Sequence, residues 1–320
     1  MYGPPCITLI YLQENIIMAK NLGNFILKLE LALVSEEGLK RIIINADDFG
    51  LCQGVNAGII KAFREGILTS ASLMTNTPGF EDAVEMARAN PFLGLGVHLN
   101  VVRGLPLSAA REIPGLVRKD GYFLGSVYPL FWGLLKGRIK IDEVEREWRA
   151  QIERALKTGL SISHLDSEKH VHTFPPLFRL TLKLAAEYGI FRVRFINEKC
   201  LAWPPGQMFK AWLIRSWCLR EKPRLEGSGV KAVDHFFGLC QAGRVSASWL
   251  KKILKKLRPG TAEIMTHPGF FTPELMALEK KLGSYYTNRR REAELQALLS
   301  PELKPLVKEL GIRLISYREL

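Results

Sequence analysis

No stretch constrains this chain more than Arg41-Ile42-Ile43-Ile44-Asn45-Ala46-Asp47-Asp48-Phe49-Gly50. An unbroken isoleucine run fits a short strand buried on both faces, the pattern of a parallel sheet. Such sheets carry their chemistry on the loops that follow their strands, and Asp47 and Asp48 stand at that end. Adjacent carboxylates repel one another and lose hydration when partly buried. Either a divalent cation offsets that cost, or the pair caps the helix that follows. The stretch alone admits both readings.

From Arg41 onward, strands and helices alternate. Strands are expected at Arg41–Ala46, Ile67–Met74, Leu93–Val101, Ser161–Asp166, Phe191–Ile196, Thr261–Thr266 and Ile312–Tyr317. Helices are expected at Val55–Arg64, Glu81–Ala89, Asp142–Lys157, from Pro175 and Pro176 to Tyr188, at Arg289–Leu298 and at Pro301–Leu310. Asp142 stands where an N-cap belongs, and Gly189 ends the helix before it. The alternation predicts a parallel α/β sheet, open or closed into a barrel. Residues 1–39 do not share the pattern and are expected to lie outside a single domain spanning 40–320, with Phe25–Val34 as a short amphipathic helix and Met18 as an alternative start.

Four of the six histidines, His98, His170, His172 and His267, fall at or just past an expected strand end, on the face that carries Asp47 and Asp48. His164, ahead of Asp166, reads better as a hydrogen-bonded core residue, and His235 is the sixth. Imidazole and carboxylate together suit Zn²⁺, Mn²⁺, Fe²⁺ or Ni²⁺, whereas Mg²⁺ prefers oxygen. A site of one carboxylate and two or three His or Glu ligands leaves a position for water, as catalytic centres do.

The motifs Asn45–Leu51, Gly94-Leu95-Gly96-Val97-His98-Leu99-Asn100, His164–Pro175 and Met265-Thr266-His267-Pro268-Gly269-Phe270 occur in an order that resembles the YdjC-like carbohydrate deacetylases, from about Arg41 to the C-terminus. The resemblance implies a distorted (β/α) barrel of about seven parallel strands and a metal-dependent hydrolase that removes N-acetyl groups from amino sugars. It implies a divalent ion, Mg or Zn, held by Asp48, His98 and one or both of Glu168 and His170. Glu168 departs from the family, which commonly has histidine there. Asp47 is expected to be the general base, kept ionised by the nearby cation, and His267 the acid that protonates the leaving amine. His172 and His235 are expected to touch substrate or support the ligands, and Asp166 to orient a ligating imidazole. Val233–Gly238 resembles the branch linked to hopanoid biosynthesis, whose implied substrate is an N-acetylglucosaminyl hopanoid.

Lys and Arg number 45 against 32 Asp and Glu, a net charge of +13. Residues 210–258 concentrate that excess, with twelve basic and three acidic residues. Residues 203–224 interleave Trp203, Phe209, Trp212 and Trp217 with basic residues, with Phe209, Leu213 and Trp217 on one expected helical face. Residues 127–138 have the same character. The functional expectation is a peripheral membrane contact that admits a lipid-linked sugar, with the protein cytoplasmic at the inner membrane face. The alternative is packing on the barrel. Five scattered cysteines without CxxC spacing argue against a disulfide framework or a thiolate zinc site and favour a reducing compartment. A phosphoesterase or glycosidase on the same barrel is the nearest rival, although no phosphate cradle occurs within the motifs. No nucleic-acid partner is expected, because the lysines of residues 251–258 alternate with apolar residues as on a solvated helix face. A homo-oligomer is compatible with the chain.

Overall fold

The isoleucine run is buried on both faces. Ile42 and Ile44 pack into the layer beneath the outer helices, while Ile43 points inward against Val233, Ile315 and Tyr317. The computed structural model describes residues 38–199, 205–278, 282 and 289–320. The expected Phe25–Val34 helix, Met18, Cys200 and Trp203 lie outside the described residues.

The seven strands are β1 Lys40–Phe49, β2 Ser70–Leu73, β3 Gly94–Leu99, β4 Ile162–Ser167, β5 His235–Phe237, β6 Gly260–Thr266 and β7 Ile312–Leu314. The helices are α1 Gln53–Glu65, α2 Phe80–Arg88, α3 Val127–Leu135, α4 Ile141–Lys157, α5 Pro175–Glu187, α6 Pro205–Glu226, α7 Ala247–Lys255, α8 Pro273–Ala277, α9 Arg290–Leu298 and α10 Leu303–Glu309. All strand pairs are parallel, in the order β4-β3-β2-β1-β6-β5, with β7 against the first residues of β1. The sheet curls. Bridges Leu165–Val193 and Arg192–Lys231 carry it from β4 towards the segment that enters β5. This is the expected α/β architecture, a distorted barrel of seven parallel strands.

Several local expectations are corrected. Phe191–Ile196 is not a regular strand; it makes only those bridges, and Arg194 in its middle spends its side chain on carboxylates instead of apolar packing. Helix α4 begins one residue early. Glu143 accepts the Lys140 backbone N–H at 3.2 Å, so Lys140 is the cap and Asp142 joins the acidic first turn. The apolar stretch Val127–Leu135, expected as a loop, is a helix capped by Ser126. β7 stops at Leu314, and Tyr317 opens a 3₁₀ turn. Among the described cysteines, Cys240 is disulfide-bonded, while Cys52 and Cys218 are free.

The feature that positions the site is a bulge in β1. Ala46 pairs with Ala71 and Phe49 with Leu73, so Asp47 and Asp48 together oppose Ser72 alone. In a regular strand their side chains would point to opposite faces. A bulge removes that alternation, and Asp48 adopts a left-handed φ of 68°. Both carboxylates therefore reach one pocket.

Candidate active site and metal centre

Inside the barrel the side chains form polar layers. At the end remote from the pocket, the Tyr317 ring stacks on His164 at 3.8 Å. Gly96 in β3 makes room for that imidazole, since a Cβ there would stand 2.4 Å from the His164 ring. His164 is fully buried between Ser72 and Ser163, and burial pushes its pKa down to about 3. It is a core residue.

Above this layer lies Arg194, fully buried among three carboxylates. Its two terminal nitrogens donate to both oxygens of Asp47, at 2.8 and 2.7 Å. Its Nη1 is 2.6 Å from Asp166 Oδ2, and its Nε donates to Glu263 at 2.9 Å. Asn45 donates to Asp47 and to Ser72, and Ser72 donates to Asp166. Burial opposes charge throughout this cluster. Asp166 is nonetheless held far below the usual carboxylate range by Arg194 and His98. One guanidinium does not neutralise three acids, and burial lifts Glu263 to about 7 against the pull of Arg194. Tyr317 donates its hydroxyl to Glu263.

At the rim, Asp48, His98 and Glu168 offer ligand atoms that all lie within 4.8 Å of one another, each side chain buried. His98 Nδ1 is 2.8 Å from Asp166 Oδ1, so its Nε2 faces Glu168 at 3.7 Å and Asp48 at 3.9 Å. Burial disfavours a charged His98, but Asp166 and Glu168 outweigh it and hold the group well above the usual histidine range. The carboxylates thus draw positive charge to the Nε2 side. Arg291 donates to Asp48, and Arg103 and Lys169 approach Glu168 Oε1 at 3.9 and 3.7 Å. Neither contact is a hydrogen bond, and Glu168 Oε1 is buried without one.

These residues fit a divalent ion. Two carboxylates and an imidazole converge, one buried carboxylate oxygen is unsatisfied, and Asp166 fixes the ring that faces them. A second set, Asp47, His98 and Asp166, converges equally closely, but Arg194 already occupies its oxygens.

His170 lines the same pocket but does not belong to either set. Its Nδ1 is buried without a hydrogen bond, and burial, with Lys210 and Arg194 nearby, holds the ring well below the usual histidine range. Lys169 and His170 both take left-handed φ, 52° and 58°, which turns their side chains to the pocket. His267 also lines it, just past β6; its backbone N–H donates to buried Glu294 at 2.6 Å.

Two expected site residues are not brought there. His172 is fully buried, with Nδ1 on Ser167 at 2.6 Å and Nε2 on the Arg194 carbonyl at 3.1 Å. It supports the segment that carries Arg194 and has no atom in the pocket. His235 opens β5, whose start pairs near the first residues of β6, and its Nε2 meets the Pro259 carbonyl at the opposite end of the barrel. It is not among the residues that line the pocket. Arg194, Glu263, Arg291 and Lys210 were not foreseen. Glu263 had a signal, since it is the one charge in the stretch Gly260–Thr266, where unpaired charge is rarely tolerated.

Comparison with known proteins places the chain among relatives of one family. A family model described as "YdjC-like protein" matches residues 41–309. A carbohydrate deacetylase of Brevibacillus brevis is 34% identical over 88% of this chain and 99% of its own. One from Geobacillus stearothermophilus is 34% identical over 87% and 96%. A crystal structure from Enterococcus faecalis V583, whose description proposes a cellobiose-phosphate cleavage protein, superposes with a TM-score of 0.71 at 28% identity over 88% of this chain and 98% of that one.

Proposed function

This chain belongs to the YdjC-like protein family, and we propose on that premise that it is a carbohydrate deacetylase, a hydrolase that cleaves the amide C–N bond of an N-acetylated amino sugar. The observation that carries the reading is the meeting of Asp48, His98 and Glu168 around a buried, unsatisfied Glu168 oxygen, beside an aspartate whose two oxygens are both held by Arg194. A divalent ion, Mg²⁺ or Zn²⁺, held by those three residues would polarise the acetyl carbonyl and acidify a water. Glu168 is the third ligand in this reading, and His170 completes the set or faces the sugar.

The chain's own residues do the rest. Asp47 accepts the proton of the attacking water as its oxygen bonds to the acyl carbon. Arg194 holds both Asp47 oxygens, which fixes the carboxylate and keeps it from turning onto the ion. His267 gives a proton to the departing amine as the C–N bond breaks, and its loop is anchored by Glu294. Asp166 keeps His98 turned so that Nε2 faces the ligand set. A finer reading places the amino sugar on a lipid, such as an N-acetylglucosaminyl hopanoid, with the protein cytoplasmic at the inner membrane face. That reading rests on the resemblance of Val233–Gly238.

The test is metal analysis of the purified protein followed by acetate release from diacetylchitobiose and from a GlcNAc-lipid. Acetate release that stops with chelator is expected from the wild type. The His98→Ala variant is expected to lose the metal. Full occupancy in that variant overturns the site, and metal-loaded protein that releases no acetate from either substrate overturns the reaction.

A further inference from the structure

Helices α3 and α6 meet through aromatic rings on their adjoining flanks. Phe131 of α3 lies 5.4 Å from Trp217 of α6, and both rings lie within 5.3 Å of Phe174. This contact corrects the expected helical face, because Trp217 is turned into the fold. The faces left in solvent are aromatic on both helices. On α3, Tyr128, Trp132 and Leu135 recur at helical spacing and are 77%, 62% and 65% exposed. On α6, Phe209 and Trp212 stack at 5.8 Å and are 62% and 59% exposed. The opposite side of α6, with Ala211, Ile214 and Cys218, is buried in the core. Burial in the fold therefore accounts for one side of each helix and leaves the other unexplained.

Charge identifies the occupant. Residues 121–141 and 205–220 contain no Asp or Glu, yet they carry Lys136, Arg138, Lys140, Lys210, Arg215 and Arg220. Lys136 lies over the Trp132 ring at 5.0 Å. A second copy meeting this face about a two-fold axis would oppose cation to cation. A sugar chain stacked on the rings would find no carboxylate to accept its hydroxyl protons. Aromatic rings flanked by lysine and arginine, with no acid among them, match the headgroup boundary of an anionic bilayer. No described helix is long and apolar enough to cross a membrane, so the contact would be peripheral.

We propose that the exposed faces of α3 and α6 form a docking surface for an anionic lipid bilayer. Helix α6 links this surface to the site, because Gln207 and Lys210, on the same turns as Phe209 and Trp212, line the pocket. The surface thus sets the pocket mouth beside the headgroup layer. The inference stands apart from the deacetylase reading, since its test measures no turnover.

The experiment is co-sedimentation of the full chain with phosphatidylcholine vesicles, with and without phosphatidylglycerol, at low and high salt. Binding to the anionic vesicles at low salt is expected, with a blue shift of tryptophan emission and release by salt. The double variant Trp132→Ser/Trp212→Ser is expected to bind at least about tenfold more weakly while keeping its circular dichroism and bound metal. No binding of the wild type to anionic vesicles at low salt overturns the proposal, as does equal binding by the variant. A concentration-dependent dimer in sedimentation velocity that the double variant abolishes assigns the face to a second copy and also overturns it. Binding of soluble chitooligosaccharides lost in the same variant does so as well.

Discussion

Two carboxylate clusters share His98, and they are neutralised in opposite ways. The inner one, Asp47, Asp166 and Glu263, is built around Arg194, which is fully buried and bonded to all three. The outer one, Asp48, His98 and Glu168, sits at the rim, where Arg291 donates to one Asp48 oxygen and Arg103 and Lys169 approach Glu168 without a hydrogen bond. A buried arginine pairs with carboxylates permanently and in a fixed geometry. A metal ion exchanges and leaves positions open to water. Adjacent residues on one bulge, Asp47 and Asp48, are thereby committed to different partners. Composition alone does not pick the candidate metal site: two similar sets of acids exist, and they differ in that one guanidinium bonds every acid of the inner set, whereas Arg291 reaches only Asp48 of the outer.

The largest effect is expected where that guanidinium is removed. Arg194→Met leaves three buried acids without their cation, which should cost about 3–5 kcal/mol of stability and abolish turnover. Chemical denaturation with an acetate-release assay measures both, and a loss below about 1 kcal/mol would show that the inner cluster does not depend on Arg194. Next is Asp47→Asn, expected to lower kcat by about 10²–10⁴ while the metal content stays unchanged. Loss of metal in that variant would reverse the roles of the two aspartates.

The smallest effect concerns pH. Glu263 has its pKa raised from 4.5 to about 7 in the folded protein, by burial. Between those values the folded state binds the extra proton, so this group's contribution falls as pH rises through 7. Its share of the slope is at most about 1.4 kcal/mol per pH unit. The Glu263→Gln variant should flatten the stability profile in that window, and an unchanged slope in urea titrations across pH 5–8 would place the proton elsewhere.

Much of this was legible in the sequence. The isoleucine run, the strand-end position of Asp47, Asp48, His98 and His267, and the alternation of strand and helix all follow from local pattern. What was not legible depends on long-range closure. Nothing near Arg194 announces that Asp47, 147 residues earlier, is its partner. His172 and His170 are two residues apart in one motif, yet left-handed backbone at Lys169 and His170 sends one to the pocket and the other to the Arg194 carbonyl. His235 lay in a motif that resembled the family, but its strand runs only three residues and it sits at the wrong end.

The central strand has a consequence for the order in which the molecule is made. β1 is the first of the described strands, but its opening residues are flanked by β6 and β7: Lys40 pairs with Gly260 and with Ile312. Until those partners leave the ribosome, the isoleucine run that ends in Asp47 and Asp48 has, among its described neighbours, β2 to pair with. Pairings between distant strands form slowly, and an unpaired apolar strand is a hazard while they do. The same topology that brings the acids to Arg194 therefore makes the nascent chain vulnerable for most of its translation. A slowed elongation or a truncated message should be felt first as aggregation nucleated at Ile42–Ile44, before any enzyme exists to assay.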